Sequence, residues 1–190
     1  MIDHSDNPSS LFDYCNLLVD QGLYDPERWR AFHCRCCRSA WRYLTNDAKK
    51  AVLCAEFDIL NGSRSLPTAF MHEMMTRKSE RAWSHALSLV SPSEDPGWLW
   101  PISDEVDGVF RSYFSAQCAS IATKNVIGAF EQPDNVTALI TWSLYRKDPR
   151  YRSERSEDRE ILERWIRIND EQEKNQILML REFFGLSDSL

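Results

Sequence analysis

Asp25-Pro26-Glu27-Arg28-Trp29-Arg30-Ala31-Phe32-His33-Cys34-Arg35-Cys36-Cys37-Arg38-Ser39-Ala40-Trp41-Arg42-Tyr43-Leu44 is the stretch on which the fold turns. Asp25 offers a carboxylate to the free amides of a first helical turn, and Pro26 brings a preset φ to a position where its missing N–H costs nothing. Behind that start, Trp29, Phe32, Cys36, Cys37, Ala40, Trp41 and Leu44 recur at helical spacing and make a broad apolar face. The spacing predicts a helix from Pro26 to about Leu44.

The same punctuation extends in both directions. Upstream, Ser10-Leu11-Phe12-Asp13 reads as a capping box ahead of Phe12, Cys15, Leu18 and Val19, and Gly22 stops that helix. Downstream, Thr45 or Asn46 opens a helix through Ala48, Val52, Ala55, Phe57, Ile59 and Leu60, closed by Gly62. Pro67 begins a fourth, carrying Phe70, Met71, Met74, Met75, Trp83, Leu87 and Val90. Residues 91–102, rich in proline and tryptophan, read as an internal loop. Helical spacing resumes through Val106, Phe110, Phe114, Ile121 and Ile127, where Gly108 and Gly128 predict a kink or a close helix contact. Pro133 starts a further helix through Val136, Leu139, Ile140, Trp142 and Leu144, ended by Asp148-Pro149. In the last helix, ended by Gly185, the polar interval Asn169–Gln176 predicts a bend or a split. No stretch reads convincingly as a strand. The expected fold is all-α: one domain over residues 1–190, a bundle of about seven helices. Its expected core is Phe12, Trp29, Phe32, Cys36, Trp41, Val52, Phe57, Phe114, Leu139, Trp142, Trp165, Leu180 and Phe184.

Composition narrows the function. A chain of 190 residues with 43% hydrophobic residues can bury a core unaided. Its net charge of -6 opposes duplex nucleic acid and anionic membrane. No apolar run reaches the roughly 18 residues of a membrane span. The acidic start Met1-Ile2-Asp3 lacks the features of a secretion signal, so a cytoplasmic location is expected.

Six cysteines, Cys15, Cys34, Cys36, Cys37, Cys54 and Cys118, are then expected to be reduced and packed as small hydrophobes. The alternative is a metal or thiol centre on His33, Cys34 and Cys37: Cys34 and Cys37 have C-x2-C spacing, but a structural zinc site wants a second pair and none follows. No phosphate-binding glycine loop, nucleophile elbow or H-E-x-x-H helix is present; His72-Glu73-Met74-Met75-Thr76 has Thr at the second ligand position. No cofactor is expected.

Charge is uneven along the chain. Residues 1–25 hold five Asp and no Lys or Arg, whereas residues 26–50 hold seven Lys or Arg against two acids. Arg28, Arg35, Arg38 and Arg42 fall on one predicted helix face. Guanidinium forks in a row suit a small anion or an acidic protein partner, unless the five acids of residues 1–25 fold back against them.

The segment Arg30-Ala31-Phe32-His33-Cys34-Arg35-Cys36-Cys37-Arg38-Ser39-Ala40-Trp41-Arg42-Tyr43-Leu44 resembles the R-x-F-x-C-x-C-C-R-x-x-W-x-x-L segment of a family of planctomycete-type bacterial proteins with no established activity. Gln176, Leu180-Arg181 and Phe184-Gly185 resemble the same family's Q-x-x-L-L-R-x-x-F-G, although Leu186-Ser187 follows where the family often continues Asn-Pro-Phe-Arg. The resemblance implies that the cysteine-rich helix and the final Phe183-Phe184 helix belong to one scaffold, and it carries over no catalytic residue. The expected function is a non-enzymatic helical interaction or scaffold module of a bacterium, with an unidentified protein partner or a small anion. The alternative is a small thiol- or metal-dependent enzyme centred on His33–Cys37.

Overall fold

Local chemistry sets most helix boundaries. In the computed structural model, which describes residues 10–89, 104–124, 133–145 and 159–186, the Ser10 hydroxyl accepts the Asp13 amide and the Asp13 carboxylate accepts the Ser10 amide, opening α1 (Leu11–Asp20). Asp25 caps α2 (Pro26–Ser39) by accepting the Glu27 and Arg28 amides. Thr45 caps α3 (Asn46–Asn61), and Gly62, at φ +62°, ends it in the left-handed conformation that glycine adopts without a Cβ penalty. Then come α4 (Leu66–Leu89), α5 (Asp104–Ala122), α6 (Asp134–Tyr145) and α7 (Arg159–Phe184). Among the described residues there are seven α-helices and no strand: the protein is all-α. Val90, the 91–102 loop, Ile127, Gly128 and Asp148-Pro149 lie outside the described residues.

Three local expectations are corrected. The cysteine-rich helix ends at Ser39, not near Leu44: the Ser39 hydroxyl donates to the Cys36 carbonyl at 2.7 Å, and a 3-10 turn, Trp41–Tyr43, follows. Distant groups hold that break. Arg111 of α5 donates to the Tyr43 carbonyl at 3.1 Å, and the Ser115 hydroxyl accepts the Thr45 amide at 2.8 Å. Helix α7 runs on through Asn169–Gln176 without a split: Asp170, Glu171, Lys174 and Asn175 face solvent, and Glu173 and Gln176 have partners. Glu173 accepts the Leu11 amide at the start of α1, and Gln176 donates to the Pro133 carbonyl. At Gly108 a Cβ would meet no described residue within 4 Å, so among the described residues no close helix contact depends on it.

Helix α5 lies at the centre, packed against α2, α3, α4 and α6. Its buried side is Ser115, Ala116, Cys118, Ala119 and Ala122, small residues that let neighbouring helices approach closely. The same core continues between α2 and α7. Trp29 sits 5.1 Å from Phe32 and 6.1 Å from Phe184, and Phe32 sits 6.2 Å from Phe183. Trp29, Phe32, Cys36, Val52, Leu139 and Leu180 are fully buried, Trp142 and Phe184 nearly so, and Trp41, Phe114 and Trp165 half-buried.

Phe12 and Phe57 were expected in this core and are instead exposed. On α1 the buried side is Leu11, Tyr14, Cys15 and Leu18; on α3 it is Ala48, Ala51, Val52, Ala55 and Asp58. Each of the two phenylalanines belongs to another face of its helix.

Candidate functional site

Three clusters of chemistry-bearing side chains can be placed. The first is the Cys/His group. His33 and Cys37, one turn apart on α2, both reach the Cys118 carbonyl of α5: His33 Nε2 at 3.3 Å, the Cys37 thiol at 3.8 Å. His33, Cys34, Cys36 and Cys37 are all buried. Burial pushes the thiols of Cys34 and Cys36 well up, and for Cys37 the contact with the Cys118 thiol raises it further than burial does, against an opposing pull from His33. Cys15 is pushed up to about 12, by burial and then by Asp134. A thiol nucleophile needs thiolate character and an open, electropositive setting. These thiols sit in the opposite environment. Among the described residues no three His, Cys, Asp or Glu side chains are grouped to hold a metal ion.

The second cluster is the arginine row. Arg38 forks onto Glu56 of α3, with Nε to Oε1 at 2.7 Å, and its guanidinium lies 4.1 Å above the Trp41 ring. Arg35 pairs with Glu182 of α7 at 2.7 Å. Arg28 donates to the Phe183 carbonyl at 3.0 Å and covers the Phe184 ring. Arg42, carried by the 3-10 turn and not by α2, lies 4.6 Å over the Tyr43 ring. The four remain exposed, yet Arg28, Arg35 and Arg38 tie α2 to α3 and α7. Their carboxylate partners are Glu56 and Glu182, far along the chain, while Asp25 caps α2 itself.

The third cluster was not singled out as a site by sequence reasoning: the outer face of the α3–α4 hairpin. Leu53, Phe57 and Leu60 follow one another at helical spacing on α3, directly opposite its buried side, and Leu66 and Phe70 continue the apolar surface onto α4. Phe57 is 60% exposed, Leu60 85% and Phe70 65%. Beside them runs an open groove of about 440 Å³ lined by Phe70, Glu73, Met74, Arg77, Lys78 and Arg81. The signal was present in the sequence as a second apolar stripe on α3, alongside the alanine-rich one that forms the core.

Asp58 fixes this hairpin. It is buried at the end of α3, and its Oδ2 accepts the Ser65 amide at 3.0 Å, while the Ser63 amide donates to its carbonyl. Burial works to raise its pKa, but hydrogen bonds from Ser65 and Thr68 outweigh that and hold the carboxyl below the usual range. Further along, Lys78 Nζ meets Asp47 Oδ2 at 2.9 Å and lowers the Asp47 pKa, first through that hydrogen bond.

Compared with protein-family models, with the curated proteins and with the solved structures, the chain matches none of them. No helix among the described residues is long and apolar enough to cross a membrane.

Proposed function

We propose that this protein is a non-enzymatic, cytoplasmic helical interaction module, and that the outer face of α3–α4 is where a protein partner binds. The observation that carries the reading is the run Leu53, Phe57, Leu60, Leu66 and Phe70, large apolar side chains left outside a core built of their neighbours. Grouped exposed apolar residues rimmed by polar ones mark contact surfaces or ligand grooves. The buried, protonated thiols around His33 support a structural role for that cluster over the thiol- or metal-enzyme alternative. Six free thiols, five of them buried, suit a reducing compartment. The packing of Phe183 and Phe184 on Trp29 and Phe32 supports the single scaffold implied by the planctomycete-type bacterial resemblance.

Photo-crosslinking in the source cell tests the reading. A benzoylphenylalanine at Phe57 or Phe70 should give a discrete higher-mass adduct, and the same group at Glu163, exposed on α7, should give none. Adducts of equal yield at all three positions, or none at Phe57 and Phe70, would contradict it.

A further inference from the structure

We propose that the partner presents an acidic amphipathic helix, laid into the groove along the outer side of α4, beside the exposed face of α3; this rests on the reading of that face as the interaction surface. The Lys78–Asp47 ion pair shows which flank of each helix faces the other. At 3.6 residues per turn, the solvent side of that flank on α3 carries Lys50 and Phe57. On α4 it carries Met74 and Arg81, with Phe70 and Arg77 one step further out. The two rows run antiparallel, so their contents line up. Phe57 and Phe70 lie toward the hairpin turn, and Lys50, Arg77, Lys78 and Arg81 lie toward the other end.

The groove is therefore apolar at one end and basic at the other. Its cations meet two carboxylates, Asp47 on Lys78 and Glu73 on Arg77. Arg81 has no ion pair among the described residues. In a chain of net charge -6 this is a local reversal of sign, and it selects for a negatively charged occupant. Its shape selects for a helix. Phe70 to Arg81 spans roughly 16 Å, about three helical turns at 1.5 Å per residue. The groove runs along α4 and is open to solvent, so the ridge of a partner helix can lie in it. A bilayer would require the apolar side chains to stand above the basic rim, whereas Met74 is half-buried against the core along the groove wall.

Fluorescence anisotropy on the full chain tests this. The probes are an acidic amphipathic peptide of about 18 residues (Leu on one face, Glu on its flanks), the same peptide with Lys for Glu, and a scrambled acidic peptide. Vesicles containing phosphatidylserine are tested alongside. The acidic amphipathic peptide should bind at least about tenfold more tightly than either control, and added salt should weaken it. Arg77→Glu with Arg81→Glu should cost at least about tenfold and shift preference to the Lys peptide. Arg81→Glu alone should act in the same direction, and Phe57→Ser with Phe70→Ser should abolish binding, with melting temperatures preserved throughout. Equal binding of acidic and basic peptides, still abolished by Phe57→Ser with Phe70→Ser, overturns the acidic assignment and leaves the interaction face standing. Capture by vesicles with no peptide bound overturns the proposal in favour of lipid. Absence of binding to any probe overturns it outright.

Discussion

Replacing Asp58 by Ala removes the group that fastens the α3–α4 hairpin. The carboxylate is buried and accepts the Ser65 amide at 3.0 Å, and Ser65 in turn bonds Thr68 at the first turn of α4. A hydrogen bond to a charged group contributes about 1.5–3 kcal/mol. Losing it should therefore lower stability at pH 7 by about that amount, or roughly 3–12 °C in melting temperature for a chain of this size. Urea denaturation gives the value from the shift in midpoint at constant slope. The pH dependence carries its own sign. The folded carboxyl titrates below its unfolded value, so its contribution is fully present above the unfolded pKa of about 3.9 and is lost as pH falls through the lowered folded value. The deficit of the variant should be constant from about pH 5 upward and shrink below about pH 4. A deficit under about 0.5 kcal/mol at pH 7, or one that grows on acidification, would refute this account of the hairpin.

Trp29→Ala should cost about 3–5 kcal/mol, because the ring is fully buried between Phe32 and Phe184, while Phe57→Ala should change stability by no more than about 0.5 kcal/mol; thermal melts of the pair check both. Iodoacetamide at pH 8 should leave Cys34, Cys36 and Cys37 unlabelled in the folded protein and react first at the half-buried Cys54, as peptide mapping would show; fast labelling of Cys37 would restore the thiol-enzyme alternative. A double-mutant cycle of Arg38→Ala and Glu56→Ala should give a coupling of about 0.5–1 kcal/mol that falls with added salt, since the pair is partly exposed.

What could be read from the sequence was whatever depends on near neighbours. The Ser10 box, the Asp25 and Thr45 caps and the Gly62 stop each act within one turn, so their residue types announce them. The break after Ser39 was hidden because Arg111 and Ser115, which hold it, belong to α5. The partners of the arginine row were hidden for the same reason, Glu182 lying on the last helix. The error at Phe57 has another origin. Helical periodicity identifies an apolar stripe but not which of two stripes faces inward, and on α3 the alanines won because α5 packs closely there. The residues that sequence reasoning placed in the core thus include one that the structure turns outward, into the candidate site.

The most direct test of the α3–α4 face is an amide NMR footprint of the full chain titrated with the acidic amphipathic peptide. Shift changes should concentrate on Lys50–Leu60 of α3 and Leu66–Arg81 of α4, and leave Arg28, Arg35 and Arg38 of α2 and Arg42 of the 3-10 turn unmoved. Changes centred on Arg28, Arg35, Arg38 and Arg42, or no change anywhere at saturating peptide, would contradict the account.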